Sequence, residues 1–257
     1  MMKIVLIGAG NVATHVGKAL KKNGLEVVQV YSRTEKSAET LGKLLEVPYC
    51  FSLEELNVNA DLYLYALKDS VLEETIRKIN APEAIHAHTA GSVPMAIFEN
   101  HVTAYGVIYP LQTFSKDKEI NIGEVPFFIE ASDDATEKKL KEVVTTISEN
   151  VYFLNSEKRL LMHLSAVFAC NFTNYMYALA AEITTEAGIE FNVLMPLIKE
   201  TADKLNYLTP AEAQTGPAAR HDEKTIKKHQ EILNNNLHLL EIYSLLSKSI
   251  ENIHMSK

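Results

Sequence analysis

The chain has 257 residues, 47% of them apolar, and a formal net charge of −8. That is enough material for one large or two ordinary cores, and the acidic balance argues against broad binding of nucleic acid or an anionic membrane surface. Two cysteines, Cys50 and Cys170, stand far apart with no disulfide framework or metal-ligand spacing, so no metal site and a reducing cytoplasm are expected. No apolar run approaches the ~20 residues of a membrane span, and the short apolar start reads as a strand.

Lys3 to Ile7 holds four consecutive apolar residues without alternation, as in a parallel strand buried on both faces. It runs into Gly8-Ala9-Gly10-Asn11-Val12-Ala13, a Gly-x-Gly-x-x-Ala turn. In that spacing Gly8 lets the chain turn sharply, Gly10 admits a pyrophosphate to the backbone, and Ala13 keeps the next helix close to the strand. The unpaired N–H groups of that helix's first turn, at Asn11, Val12 and Ala13, would face the phosphates with the positive end of the dipole. The alternative is a tight turn that binds nothing. The helix carries Val12, Val16, Ala19 and Leu20 inward and stops at Asn23-Gly24.

Leu25 to Tyr31 is the second strand, and Ser32-Arg33-Thr34 follows it. An acid here would accept hydrogen bonds from ribose hydroxyls in an NAD site. An Arg flanked by hydroxyls instead matches the 2′-phosphate of NADP. NADP is therefore the expected cofactor, although Ser32 also stands where it can cap the helix beginning near Glu35. That helix carries Ala38, Leu41, Leu44 and Leu45, and a short strand follows near Val47 to Cys50. Leu62 to Leu67 is a further buried strand; its carboxyl end, with Ala66 and Leu67, should lie beside the cofactor. Asp69 or Ser70 caps the next helix. Ala84 to Ala87 is the fifth strand, and His88-Thr89-Ala90-Gly91-Ser92 follows where a nicotinamide should arrive. Thr89, Gly91 and Ser92 are expected at the cofactor and His88 as a proton donor; otherwise Ser92 is an N-cap. Strands at Val102 to Tyr109, Val125 to Ala131 and Val151 to Leu154, with a helix from Ala135 to Ile147 capped by Asp133 or Asp134, complete a doubly wound α/β sheet of about eight strands.

The grammar changes near Asn155. Residues 1–155 read as the nucleotide-binding domain and 156–257 as an all-α domain. One long helix runs from Glu157 to Ala187, a second from Asn192 to Leu205 with Met195, Ile198 and Leu205 inward, and others follow to His254. His163, Asn171 and Asn174 fall at i, i+8 and i+11, roughly one face of a helix. Asn is a poor mid-helix residue, so Asn171 and Asn174 are expected to hold substrate, or else to be satisfied amides at a contact. His163 is the second candidate acid or base. Thr215 and Arg220, in Thr215-Gly216-Pro217-Ala218-Ala219-Arg220-His221-Asp222, are expected at an anionic substrate, with Asp222 either helping or pairing with Arg220.

Together, Ile7 to Ala13, Tyr31-Ser32-Arg33, His88 to Ser92, Tyr109-Pro110-Leu111-Gln112-Thr113-Phe114, Phe168 to Phe172 with Leu179, and Thr215 to Asp222 resemble a family of NADP-binding oxidoreductases. Its members have an N-terminal Rossmann domain and a C-terminal helical domain of unknown function. The layout is also similar to 6-phosphogluconate dehydrogenase, 3-hydroxyisobutyrate dehydrogenase, ketopantoate reductase and pyrroline-5-carboxylate reductase. The resemblance implies a homodimer formed through the helical domain, with that domain helping to complete the cleft; Gln112 is carried as a substrate-side residue. Several of those enzymes have a Lys one turn before the Asn that orients substrate. Val167 stands there in this chain, with His163 two turns before Asn171 as the substitute. The expected activity is NADP-dependent hydride transfer at a C=O or C=N carbon of a small anionic substrate. The alternatives are an NADP(H)-binding sensor or assembly module without turnover, and a flavin- or deazaflavin-linked reductase.

Overall fold

The computed structural model describes residues 2–255. By packing, the chain divides into two compact units, residues 1–171 and 172–257. The first holds β1 (Lys3–Ile7), α1 (Asn11–Lys22), β2 (Glu26–Tyr31), α2 (Glu35–Leu45), β3 (Tyr49–Cys50), β4 (Leu62–Tyr65) and α3 (Asp69–Lys78). There follow β5 (Ile85–His88), β6 (Ala104–Pro110), β7 (Phe127–Ala131), α4 (Asp134–Thr145), β8 (Val151–Phe153) and α5 (Ser156–Ala166). The change from strands to helices thus comes at Asn155, while the first compact unit continues through α5.

The eight strands form one sheet in the order β3-β2-β1-β4-β5-β6-β7-β8. Every neighbouring pair is parallel except β6 and β7. The uniform apolarity of β1 has a simple cause: Ile4 and Leu6 enter one core layer, Val5 and Ile7 the other, and all four are fully buried. Each such side chain contributes about 1.5–3 kcal/mol by leaving water. The strand order reverses between β1 and β4. In open α/β sheets the crevice outside the carboxyl ends at that switch point is where ligands bind.

Some local expectations shift. The N-cap of α2 is Thr34 rather than Ser32. The N-cap of α3 is Lys68, which leaves Asp69 as the first helical residue with its carboxylate accepting from Ser92 Oγ. Ser92 therefore caps nothing; Pro94 precedes the short 3₁₀ turn at Met95–Phe98. Asp133 does cap α4, its Oδ1 accepting from Thr136 N at 2.9 Å.

The second unit is helical among its described residues: α6 (Thr173–Glu186), α7 (Met195–Asp203), α8 (Pro210–Ala213), α9 (Glu223–Leu233) and α10 (Leu237–Met255). Residues Val167–Phe172, between α5 and α6, wind as a π-helix. A π-turn closes i→i+5 bonds, so the uniform step that sets Asn171 and Asn174 on the face of His163 does not hold across it. Met195 and Leu205, expected inward, are exposed, as are Leu161, Leu164 and Phe168.

Candidate active site

The site begins at the turn between β1 and α1. Gly8 has φ +118°, and a Cβ there would come within 2.3 Å of Ala66 O and 3.2 Å of Leu67 Cδ2. Gly8, Ala66 and Leu67 are thus in mutual contact at the carboxyl ends of β1 and β4. Gly10 is different: a Cβ built on it would meet no protein atom within 4 Å. Protein packing gives no reason for that glycine, whereas a pyrophosphate against the backbone does. Gly10 is also the N-cap of α1, with no side-chain cap and no acid in the first turn. The N–H groups of Asn11, Val12 and Ala13 lack intrahelical acceptors and offer an anion site. Asn11 Nδ2 donates to Phe114 O at 2.7 Å and His15 Nε2 to Ser115 O at 2.9 Å. The segment after β6 is thereby strapped to α1, close to the turn. These residues fit a dinucleotide.

At the end of β2, Ser32 N donates to Cys50 O at 3.2 Å, and Thr34 Oγ1 to Ser37 Oγ at 2.8 Å. Arg33 is exposed and, among the described residues, forms no ion pair. Its guanidinium fork is available to a phosphate.

A tyrosine–histidine pair joins the carboxyl end of β6 to α5. Tyr109 Oη is 3.0 Å from His163 Nδ1, with the rings edge to face. Burial raises the Tyr109 pKa, and the charge of Arg159 works against that rise. Gly91 packs on the same pair: a Cβ there would come within 2.8 Å of both His163 Nδ1 and Tyr109 Cζ. The pair is held from behind by a buried ion pair. Arg159, on α5, meets Glu130, on β7. Glu130 Oε1 also accepts from Ser156 N at 2.9 Å, and Arg159 donates to Val93 O. Arg159 lies four residues before His163, so the lock that seats α5 sets the ring one turn further along. Tyr109 stands in the Tyr109-to-Phe114 motif, where sequence reasoning assigned it no role.

The other expected residues are distributed as follows. His88 is fully buried, its ring stacked near Phe98, and its Nδ1 accepts from Ala90 N at 3.2 Å. Burial first, and the charge of Arg159 second, push it down to about 3. A neutral, enclosed imidazole is unsuited to donating a proton. Thr89 continues the β4 ladder through its N–H to Tyr65 O at 3.0 Å. Gln112 is exposed and accepts from Thr113 N at 2.8 Å. Asn171 is exposed at the end of the first unit. Asn174, Thr215 and Arg220 belong to the second unit and are exposed there. Asp222 caps α9, accepting from Thr225 N at 3.1 Å, which gives that carboxylate a structural duty.

Comparison with known proteins gives a consistent picture. The family model for NADP oxidoreductase, coenzyme F420-dependent, matches residues 3–88, and that for the domain of unknown function DUF2520 matches residues 125–250. BF3122 from Bacteroides fragilis, named as a candidate NADP oxidoreductase, is 49% identical over 98% of each chain, with a TM-score of 0.93. Protein TM1727 from Thermotoga maritima is 20% identical over 98% of this chain and 99% of that one, with a TM-score of 0.83. A reductive aminase from Aspergillus terreus, in complex with NADPH and ethyl-5-oxohexanoate, is 12% identical over 98% and 92%, with a TM-score of 0.68. No curated protein matches the chain.

Proposed function

From the premise that this chain belongs to the NADP oxidoreductase family of BF3122, we propose that it transfers hydride between NADP(H) and a C=N or C=O carbon of a small anionic substrate. NADP is the cofactor. The turn at Gly8, Gly10, Asn11, Val12 and Ala13 holds its pyrophosphate; Ser32, Arg33 and Thr34 hold its 2′-phosphate; Ala66, Leu67, Thr89, Gly91 and Ser92 flank the rest. The family-model match that names coenzyme F420 is confined to the nucleotide-binding segment, which supports NADP and says nothing of a deazaflavin partner.

The observation that carries the reading is the Tyr109–His163 pair beside Gly91. Bound NADPH supplies the hydride. The Tyr109 hydroxyl gives its proton to the substrate nitrogen or oxygen that gains charge, and His163, paired with it through Nδ1, returns one to the phenolic oxygen. The reverse sequence serves oxidation. General acid groups of this kind contribute about 10²–10⁴-fold. Asn171, Asn174, Gln112, Thr215 and Arg220 are proposed to orient the substrate and its anionic group. A homodimer through the helical domain, whose 156–257 boundary follows the change of grammar, completes the proposal, in a cytoplasmic setting suited to two free cysteines.

The test is NADPH oxidation across a panel of cyclic imines and 2-keto acids, repeated with Tyr109→Phe. Turnover of at least one class is expected, with kcat at least 100-fold lower in the variant and the NADPH Kd unchanged. NADPH binding without turnover of any member would favour the non-catalytic sensor. Unchanged kcat in the variant would remove Tyr109 from the chemistry.

A further inference from the structure

Outside the dinucleotide crevice, a cavity of about 390 Å³ opens between the second half of α1 and the loop that precedes β7. Its size lies within the usual range for small-molecule sites, roughly 300–1,000 Å³. Lys18 and Lys22 reach it from α1, and Lys116 and Lys118 from the loop; Glu119 is the single carboxylate on its wall, and Ala19, Ile120 and Ile147 supply apolar surface. Among the described residues none of the four lysines forms an ion pair. Lys18 and Lys22 are i,i+4 on one helix face, a like-charge spacing that costs a few tenths of a kcal/mol. Lys22, in the last turn, is favoured by the helix dipole; Lys18 and the two loop lysines have no such reason. In a chain of net charge −8, four cations converging on one concave surface are a local reversal of sign.

We propose that this cavity binds a small soluble polyanion carrying two or more phosphate or carboxylate groups. The site is separate from the phosphate turn: Lys18 and Lys22 lie about 10–16 Å along the helix axis from Asn11. The two share one tether, because the loop that carries Lys116 and Lys118 is fastened to α1 through Phe114 O and Ser115 O.

The experiment is calorimetric titration of tripolyphosphate into the full-length protein at 0.15 M salt, with and without saturating NADPH. One-to-one saturable binding that persists in NADPH is expected. The Lys18→Glu/Lys116→Glu double variant should bind at least tenfold more weakly, and Arg33→Ala within twofold of the unaltered chain. Displacement by NADPH, or loss in Arg33→Ala with retention in the lysine variant, would put the probe in the dinucleotide turn and overturn the proposal. Heat without saturation, or no binding, would overturn it as well. Should the double variant melt early, Lys18→Gln and Lys116→Gln singly carry the same comparison.

Discussion

Two glycines two residues apart in one turn, Gly8 and Gly10, should respond to the same substitution in opposite ways. Gly8→Ala places a Cβ 2.3 Å from Ala66 O at φ +118°, so it should cost several kcal/mol of stability, seen as a large fall in Tm. Gly10→Ala adds a methyl group where no protein atom lies within 4 Å, at φ −82°. It should leave Tm nearly unchanged and weaken NADPH binding at least tenfold, about 1.4 kcal/mol. Equal thermal loss in both would mean that Gly10 serves the fold. The glycines were legible in sequence because their meaning is local: strand, turn and helix are adjacent. His163 was named from its helix face, but its pairing with Tyr109 was not, since the two are 54 residues apart. Their meeting depends on β6 register and on the Glu130–Arg159 lock, neither of which leaves a periodic signal. His88 misled for a related reason. Its motif sits at a strand's carboxyl end, but as the last residue of β5 its ring turns into the core.

Strand β5 carries a second consequence of that burial. His86 and His88 are both fully enclosed; Tyr65 Oη donates to His86 Nδ1 at 2.7 Å, and His86 Nε2 donates to Ala81 O at 2.9 Å. Burial lowers both pKa values, that of His88 to about 3. Folded, the rings stay neutral; unfolded, they take up protons below about 6.5. Unfolding therefore binds protons, and stability falls as pH drops through 6.5 toward 3 while remaining unaffected by these groups above 6.5. The contribution of His88 reaches about 3 kcal/mol by pH 4. Denaturant titrations at pH 7 and pH 4.5 should show the loss, and His88→Gln should flatten it; a pH-independent difference between the two chains would refute the linkage. Helices and strands were readable from apolar period, whereas their ends were less so. The cap of α3 falls on Lys68, and the carboxylate of Asp69 is engaged by Ser92 instead, a contact across 23 residues. The π-helix at Val167–Phe172 has no signature in apolar spacing.

In the whole molecule, the two units differ in how they use their apolar residues. The first buries most of them on both faces of the sheet, leaving Val58, Leu161 and Phe168 outside. The second leaves Val193, Leu197, Tyr207, Ile232, Leu237 and Leu245 more than 60% exposed. Helical period marks a residue as apolar-facing without saying which surface covers it, which is why Met195 and Leu205 read as inward and are exposed. A second copy of the chain is the proposed cover. Sedimentation equilibrium should give a mass about twice 28.7 kDa, and Leu197→Glu with Val193→Glu should shift it toward the single-chain value. A wild-type species at 28.7 kDa across micromolar concentrations would contradict the dimer.

The whole account rests on a diphosphate at the opening turn and a further phosphate on Arg33. Fluorescence titration of NADPH and NADH against the purified protein addresses it most directly. One NADPH per chain is expected, bound at least tenfold more tightly than NADH, with that preference abolished in Arg33→Ala. NADH binding as tight as NADPH, or no binding of either at millimolar concentration, would contradict it.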